Sequence, residues 1–466
     1  MRNYTDFFKD KKATLMGLGL LGRGLGDAIF LAEHGVDLII TDLRDAKTLA
    51  PSLAKLKKYK NIKYTLGGHK VEDFRNRDFI VKAAGVALDS PYVAEAVQNK
   101  IPVEMDASLF ARLLTLERSD GGQAKLMPKD VTLVGVTGTR GKSTTTALIY
   151  EILKEALGKK ALRTRKIYKG GNLVAEATLP LLKKVKSGDI IVLELDSWQL
   201  QGFHDARISP HIAVFTTFLD DHLIYYKGDT DRYFEDKVAI FKYQKAGGVL
   251  IAGERVAENI GKSGVPVNGD FVIAKKEDVP RSWDIPIPGE HNLENIACAL
   301  AVAKHFKIPE VAVKKAVEHF KPVAGRLELI RTVKGVKFYN DTNATTPDAT
   351  IAGLRALGKN KNMVLICGGT DKGLDMTKLV AEIPKHCKGL VLLKETGTER
   401  LKPLIQETGF KILEKETLKK CVGEAVKLAK KGDIVLFSPA FASFGKWFKN
   451  EYDRGEQFVE LIKNLT

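Results

Sequence analysis

The sequence predicts an α/β protein of three domains that are built on parallel sheets. Three observations support this fold class. The chain has 466 residues, which is too many for one hydrophobic core. Apolar runs typical of strands alternate with helical patterns almost throughout, as parallel sheets require. Two of these strands are followed by a glycine-rich turn and a helix, at Gly17–Gly22 and at Thr137–Ser143.

The strand–helix pattern restarts twice along the chain. The first series contains ATLMGLG, the helix GDAIFLAEHG, VDLIITD, DFIVKAAG and IPVEMD, and the polar stretch from Arg118 to Asp130 resembles a linker. The second series contains VTLVGVTG, DIIVLELDS, HIAVFTTF, GGVLIAG and the helices NLENIACALAVAKHF and VAVKKAVEHF. The third contains VKFYND, NMVLICGG, GLVLLKE and DIVLFSPA. We therefore expect domains at residues 1–126, 127–322 and 323–466.

Composition favours a soluble protein of a reducing cytoplasm. Hydrophobic residues make up 44% of the chain, the four cysteines form no CxxC pair, and the first residues are charged rather than apolar. The formal net charge of +17 leaves nucleic-acid binding open. The lysines are spread over the whole chain without an aromatic-interleaved basic stripe, however, so a solvated surface with anionic small-molecule substrates is the favoured interpretation.

A phosphate-binding loop is predicted after the strand VTLVGV. Glycines allow backbone amides to face phosphate oxygens, and the helix that follows adds its positive dipole end. Lysine at the helix start would neutralise phosphate charge and the next hydroxyl would ligate magnesium. Val136 stands where the strict motif has glycine, so a plain glycine-rich turn is the alternative. The expected ATP-binding residues are Gly138, Thr139, Arg140, Gly141, Lys142, Ser143 and Thr144.

The amino-terminal glycines match the GxGxxG pattern, and Asp42 follows at the end of the next strand. This arrangement is typical of a Rossmann-like domain that binds a nucleotide diphosphate and its ribose. A tight turn that packs helix on strand is the alternative.

In the middle series, Glu194 and His222 follow buried strands, and their side chains are candidates for the edge where ligands gather. A strand-terminal histidine without a ligand role is the alternative for His222.

Several segments in order resemble the Mur ligase family. They are GVTGTRGKST, LELDSWQL, DDHL, GEHNLENIACAL, AGRLE, YNDTNATTPDATIAGL, CGGTDKG and SPAFASFGKWFKNEYDRGEQF. The third-domain segments are most similar to the branch that adds D-glutamate to UDP-N-acetylmuramoyl-L-alanine in peptidoglycan precursor synthesis. The resemblance implies a central P-loop ATPase-like parallel sheet between two Rossmann-like domains, of which the first binds the UDP-substrate. It also implies that ATP activates the substrate carboxylate as an acyl phosphate, which the amine of D-glutamate attacks.

The resemblance carries over to individual positions. It implies catalytic roles for Lys142, His222 and Lys237, two magnesium ions, and carbamylation of Lys237. Further magnesium ligands would be Ser143 and Glu194, and further ATP contacts Asn292, Asn295, Arg326 and Asp341. UDP-substrate contacts would be Leu20, Leu21, Asp42, Arg44, Gly85 and Asn172, and D-glutamate contacts Thr345, Lys372 and Ser443. The implied partners are small molecules, without nucleic acid or membrane, and the implied state is a monomer.

The sequence departs from the family pattern at Arg140, Asp196 and Asn343, and also in GGNLVAEA and after the histidine of DDHLIYY. Three alternative functions stay open from the sequence. One is another ligase of this family or of the folylpolyglutamate synthase type. The second is a nucleic-acid-binding P-loop protein, which the charge would suit. The third is a dehydrogenase that uses the amino-terminal glycines.

Overall fold

The structure is a computed structural model that describes residues 4–465 except 88, 116–129, 162–163, 173–175, 223–224, 444 and 446. The predicted linker, apart from Asp130, and the predicted domain limit at 126/127 lie outside the described residues. Two compact units divide the chain: Met1–Asp220, Tyr225–Val279 and Ile296–Ala316 form one, and Asp221–Ile224, Pro280–Asn295 and Val317–Thr466 form the other. Strands among the described residues form three sheets, two in the first unit and one in the second.

The first sheet has five parallel strands in the order β3-β2-β1-β4-β5. Its strands are β1 (Lys12–Met16), β2 (Asp37–Asp42), β3 (Ile62–Leu66), β4 (Phe79–Lys82) and β5 (Val103–Glu104). Its helices are α1 (Tyr4–Phe8), α2 (Arg23–Glu33), α3 (Ala50–Leu56), α4 (Pro91–Gln98) and α5 (Asp106–Thr115), with a 3₁₀ turn at Val71–Phe74. The sequence analysis did not predict β3, an edge strand in which only Ile62 is buried.

The second sheet has six parallel strands in the order β11-β10-β9-β6-β8-β7. Its strands are β6 (Thr132–Thr137), β7 (Ile167–Gly171), β8 (Ile190–Glu194), β9 (Ile212–Phe215), β10 (Val249–Gly253) and β11 (Asp270–Ala274). The helices of this part of the chain are α6 (Lys142–Ala161), α7 (Ser197–Asp205), α8 (Thr230–Lys242), α9 (Glu254–Ser263), α10 (Glu290–His305) and α11 (Glu310–Glu318). Short 3₁₀ turns lie at Leu179–Lys183 and Lys276–Asp278. The two edge strands, β7 and β11, were not predicted. Strand β7 (IYKGG) lacks an apolar run, and β11 (DFVIA) is short and exposed at four of its five residues.

The third sheet has six strands in the order β12-β13-β17-β14-β15-β16. Its strands are β12 (Glu328–Val333), β13 (Val336–Asn340), β14 (Met363–Cys367), β15 (Cys387–Leu393), β16 (Ile412–Lys415) and β17 (Ile434–Phe437). Its helices are α12 (Pro347–Leu357), α13 (Thr377–His386), α14 (Thr396–Glu407), α15 (Leu418–Leu428) and α16 (Glu451–Lys463).

One strand that was not predicted departs from the parallel arrangement: at the edge of the third sheet, β12 pairs with β13 in antiparallel fashion. Lys334 and Gly335 connect the two strands, and both have positive φ, at 50° and 79°. Two successive left-handed residues are typical of the tight turn that closes an antiparallel hairpin. The remaining pairs of this sheet are parallel.

Apolar side chains cover both faces of the third sheet. One core contains residues of α12, α13 and α14, and the other contains residues of α15 and α16. In the first unit one continuous core, which includes Phe30 and Phe203, joins the first two sheets. Because the faces are covered, the loops at the carboxyl ends of the central strands are the places where polar side chains gather.

All four cysteines are free and buried. Burial raises the pKa of the Cys367 and Cys421 thiols to about 12, and it raises the pKa of Cys387 as well. These thiols therefore stay protonated at neutral pH and are poor nucleophiles. No helix in the described part of the chain combines the length and the apolar character that crossing a bilayer requires.

Candidate functional site

The predicted phosphate loop connects the centre of the second sheet to a helix. Strand β6, which lies between β9 and β8, ends at Thr137, and α6 begins at Lys142. Gly138 and Gly141 have φ values of 146° and 85°, which side chains disfavour. The loop therefore leads directly into a helix N-terminus, where unpaired amides and the helix dipole favour an anion.

The segment after β9 holds this loop in place. The Thr139 amide donates to the Thr217 carbonyl at 2.8 Å, and the Arg140 amide donates to the Thr217 hydroxyl at 2.8 Å. A Cβ atom at Gly138 would overlap the Thr216 hydroxyl and lie 2.9 Å from the Thr217 amide nitrogen. The close approach explains why glycine is needed at 138, and the hydrogen bonds order the loop without a ligand.

Two lysines meet at one carbonyl of the loop. Lys142 Nζ donates to the Gly138 carbonyl at 2.9 Å, and Lys237 Nζ donates to the same oxygen at 3.1 Å. Lys237 is only 1% exposed and lies 4.9 Å from the ring centroid of Tyr233, one turn earlier on α8. The Tyr233 hydroxyl is in turn 3.2 Å from the Thr139 hydroxyl. Two ammonium groups at one oxygen create a positive potential that favours an anion at the loop.

Glu194 is the last residue of β8, beside the start of the loop, because it pairs in register with Val136 of β6. Its side chain is buried at 4% exposure. Ser143 and Thr144 lie in the first turn of α6. The described residues contain no group of three or more His, Cys, Asp or Glu side chains arranged for a metal ion.

His222 belongs to the second unit, whereas Glu194 belongs to the first, so their predicted convergence stays a prediction. His222 has a φ of 56°, and its amide donates to Asp221 Oδ1 at 2.8 Å. The same carboxylate oxygen accepts from Lys372 Nζ at 2.8 Å. The lysine predicted to bind D-glutamate thus has an internal acidic partner in this structure.

The amino-terminal glycine loop is organised by Asp42. The Gly19 amide donates to Asp42 Oδ2 at 2.9 Å, and the Arg44 amide donates to Oδ1 at 2.9 Å. Asp42 is 2% exposed, whereas Leu20 and Leu21 on the loop are each 46% exposed. The carboxylate therefore orders the loop, and the leucines form its accessible surface. Gly85, also a predicted UDP-substrate contact, is exposed after β4.

Asn172 lies between the first and second sheets of the first unit. Its amide donates to the Glu194 carbonyl at 2.7 Å, and its Oδ1 accepts from Arg23 Nη2 at 2.8 Å. Arg23 begins α2 directly after the glycine loop, and its Nε is 4.0 Å from Asp106 Oδ2. Asn172 thus connects the helix after the predicted UDP-substrate loop, through its side chain, with the strand that carries Glu194, through its backbone amide.

The predicted third-domain residues lie on loops that follow three neighbouring strands. Asp341 and Thr345 follow β13, Ser443 follows β17, and Lys372 follows β14. The buried Asp341 carboxylate accepts from the Leu327 amide at 3.1 Å and from the Ser438 hydroxyl at 2.8 Å. Burial raises the pKa of Asp341 to about 7.

The Ser443 hydroxyl donates to Glu451 Oε2 at 3.3 Å, so a carboxylate of the protein already occupies the donor of this predicted D-glutamate-binding residue. The two predicted adenine-side asparagines are buried and bonded to each other, because Asn295 Nδ2 donates to Asn292 Oδ1 at 3.1 Å. Arg326 directly precedes Leu327, whose amide donates to Asp341.

Three of the departures from the family pattern have local structural roles. Asp196 caps α7, because its Oδ1 accepts from the Gln199 amide at 2.7 Å. Arg140 Nη1 donates to the Thr139 carbonyl at 3.2 Å, and Asn343 Nδ2 donates to the Ala324 carbonyl at 3.1 Å.

Sequence reasoning missed Thr216, Thr217 and Tyr233, which hold the phosphate loop. Two features of the sequence could have identified them. Consecutive hydroxyl residues follow β9, whose neighbour in the sheet is the loop-bearing strand, and Tyr233 lies four residues before Lys237 on one helix face.

Three family models match the chain. Residues 11–104 match "Mur ligase MurD-like, N-terminal domain", residues 136–266 match "Mur ligase middle domain", and residues 325–441 match "Mur ligase, glutamate ligase domain". A protein of Roseiflexus sp. (strain RS-1) named UDP-N-acetylmuramoylalanine--D-glutamate ligase is 34% identical over 98% of this chain and 99% of its own. A protein of the same name from Borreliella burgdorferi (strain ZS7) is 33% identical over 99% of both chains.

Solved structures with the same fold are more distant in sequence. UDP-N-acetylmuramate-alanine ligase MurC from Thermotoga maritima superposes with a TM-score of 0.60 at 19% identity, over 97% of this chain and 99% of that one. MurF ligase from Thermotoga maritima in complex with ADP gives a TM-score of 0.55 at 20% identity, over 91% of this chain and 94% of that one. The full-length similarity to the curated ligases and the match of all three domain models, in order, lead to one conclusion: this chain belongs to the Mur ligase family.

Proposed function

We propose that this protein is an ADP-forming ligase that joins D-glutamate to UDP-N-acetylmuramoyl-L-alanine. The observation that carries the proposal is the similarity over essentially the whole chain to ligases with that name, at 34% and 33% identity. The anion-favouring loop at Gly138–Ser143 supports the nucleotide part of the reaction. We assign residues 1–126, 127–322 and 323–466 to the UDP-substrate, ATP and amino-acid domains.

The reaction joins two anions, so cationic groups matter most. ATP phosphorylates the alanine carboxylate, which releases ADP and leaves an acyl phosphate. The amine of D-glutamate attacks the acyl carbon, phosphate departs, and an amide forms. We assign Lys142 and the amides of the α6 N-terminus to the phosphates of ATP, because the ammonium and the helix dipole offset their negative charge.

We assign Ser143, Glu194, His222 and carbamylated Lys237 to magnesium. Mg²⁺, when bound, would offset phosphate charge during transfer. The donor set fits this ion only if Lys237 is modified, since an ammonium repels a cation and a carbamate offers two oxygens. The buried position of Lys237 beside a second ammonium supports modification, because carbamylation changes a buried cation into an anion next to Lys142.

We assign Leu20, Leu21, Asp42, Arg44, Gly85 and Asn172 to the UDP-substrate, with Asp42 ordering the glycine loop. Asn292, Asn295, Arg326 and Asp341 are assigned to ATP, and Thr345, Lys372 and Ser443 to D-glutamate. A lysine and two hydroxyls suit a dicarboxylate, since each can donate to a carboxylate oxygen. We further propose that the protein is a monomer and that it acts in the cytoplasm, where its four free cysteines would stay reduced.

Product analysis tests the proposal directly. The purified chain is incubated with ATP, Mg²⁺, UDP-N-acetylmuramoyl-L-alanine and a panel of amino acids, and products are identified by mass spectrometry while ADP release is followed. We expect the amide with D-glutamate alone. Formation of an amide with another amino acid would assign a different ligase specificity. ADP release stimulated by DNA or RNA without an amide would contradict the proposal.

A further inference from the structure

Arg454, on the second turn of α16, is the largest fully buried side chain of the described residues, with 0% exposure. Its Nε donates to the Thr342 hydroxyl at 3.1 Å and its Nη2 to the Thr342 carbonyl at 2.7 Å. Its Nη1 donates to the carbonyls of Phe441 at 3.2 Å and Ala442 at 3.3 Å. Among the described residues, all four of these bonds go to uncharged oxygens, so the guanidinium is buried without a bidentate carboxylate partner.

These acceptors belong to two loops that carry predicted ligand contacts. Thr342 lies between Asp341 and Thr345 after β13, and Ala442 directly precedes Ser443 after β17. A Cβ atom at Gly369, on the loop after β14, would lie 3.2 Å from Arg454 Nη1. The Arg454 guanidinium therefore lies where the loops after three neighbouring strands meet.

The third loop is also tied to the second by backbone bonds. The amide of Thr370 donates to the Ala442 carbonyl at 2.9 Å, and the amide of Ala442 donates to the Thr370 carbonyl at 3.0 Å. The Ala442 carbonyl thus accepts from Thr370 and from Arg454 together. Lys372 follows two residues after Thr370, so the position of this lysine depends on the same junction.

The attachment of α16 to the sheet does not explain this arrangement. Phe458 and Ile462 are completely buried, and the Phe458 ring stacks on Phe437 with 4.7 Å between centroids. These apolar contacts anchor the helix. Gly455 permits the close approach at Thr342, because a Cβ there would lie 2.6 Å from the Thr342 methyl carbon. Every hydrogen bond that the described residues show for the Arg454 guanidinium goes to these loops, and isolating its charge from water is costly.

We propose that Arg454 is a positioning residue that sets the geometry of the amino-acid site by fixing the loops at Asp341–Thr345, Gly368–Lys372 and Ser438–Ser443 relative to one another. Arginine suits this role because its planar fork offers five donors at fixed angles, whereas a lysine offers one mobile ammonium. The inference uses the proposed function only for the identity of the incoming amino acid.

The test compares Arg454→Lys and Arg454→Met with the parent in the complete chain. The matched control is Arg331→Met, since Arg331 Nη1 also donates to a backbone carbonyl of α16, at Lys463 and 2.8 Å, and in the described part of the chain it makes no hydrogen bond to the three loops. Steady-state kinetics give separate KM values for D-glutamate and the UDP-substrate. Hydrogen–deuterium exchange gives loop protection without requiring activity.

We expect Arg454→Met to raise the KM for D-glutamate about tenfold to a hundredfold, the range that a displacement near 1 Å produces. The KM for the UDP-substrate should change little, exchange should accelerate in all three loops together, and Arg454→Lys should fall between Met and parent. Arg331→Met should leave both readouts unchanged. A lower Tm with an unchanged D-glutamate KM and unchanged loop exchange would overturn the inference.

Thr342→Val covers the case in which the Arg454 variants do not fold. It removes the hydroxyl that accepts from Arg454 Nε and keeps the arginine. The expected result is a smaller rise in the D-glutamate KM together with faster exchange in the same loops, and no change in either would refute the role of Arg454. A parent protein that makes no amide would refute the proposed function, but the exchange experiment would still decide the positioning role.

Discussion

Replacing Gly138 by alanine tests whether the fixed shape of the phosphate loop is required for activity. The residue has a φ of 146°, and strain of this kind costs about 1–3 kcal/mol in a residue with a side chain. The new methyl group would also overlap the Thr216 hydroxyl and lie 2.9 Å from the Thr217 nitrogen. Since ordinary contacts begin at 3.4 Å, the loop or the Thr216–Thr217 segment must shift by about 0.5 Å (3.4 minus 2.9) to restore an ordinary contact.

That displacement would shift the Gly138 carbonyl, to which both Lys142 and Lys237 donate. We therefore expect kcat/KM for ATP to fall about tenfold to a hundredfold, as positional errors approaching 1 Å do. The assay is coupled ADP release, with Tm measured on the same samples. Gly188→Ala is the matched control, because Gly188 has a φ of 83° but open space around its Cβ position. The reasoning fails if folded Gly138→Ala keeps kcat/KM within threefold of Gly188→Ala.

Three further predictions concern charge. Lys237→Ala should abolish amide formation, and bicarbonate-type or acetate-type small anions should restore part of it if a carbamate is the active form; full activity of the variant would exclude that form. Asp341→Asn should flatten the dependence of stability on pH: burial raises the pKa of Asp341 to about 7, so the parent is more stable below this pH and loses stability as pH rises from about 4 through 7. Chemical denaturation at pH 5 and pH 8 measures the free energy of unfolding at each pH. The difference between the two values should be at most a few kcal/mol in the parent and absent in the variant. An equal difference in both proteins would contradict the assignment. Glu451→Gln should lower the KM for D-glutamate about fivefold, because it removes a negative charge worth about 1 kcal/mol beside Ser443, and a raised KM would show that Glu451 assists binding.

The sequence was sufficient to predict the central strands and both glycine loops, because apolar runs and glycine spacing are local signals. Three edge strands were missed: β3 and β7 lack a continuous apolar run, whereas β11 (DFVIA) has a run of four apolar residues that was overlooked. The antiparallel β12 (ELIRTV) was also missed, since charged residues interrupt its apolar ones and none of its residues is buried.

Site residues could be predicted only where a short sequence motif identifies them or where the resemblance to a known family assigns them. Lys237 looks like any charged residue on a helix, and its contact with Gly138 joins positions 99 residues apart. Arg454 lies within the segment SPAFASFGKWFKNEYDRGEQF, but its role could not be predicted, because its partner Thr342 lies 112 residues away and its other acceptors are backbone carbonyls. Contacts of this kind depend on how strands are ordered in the sheet, and no spacing along the chain reports that order.

Because its four thiols are buried, the rates at which they react with a reagent report local opening of the structure around each of them. Three of them, Cys367, Cys387 and Cys421, lie in the third sheet or its covering helix, and Cys298 lies in α10. An alkylating reagent can reach such groups only after local opening, so the rate of labelling at each cysteine measures how often its surroundings separate. Peptide mapping after a timed iodoacetamide pulse would give four opening frequencies from the unmodified sequence, without any engineered probe.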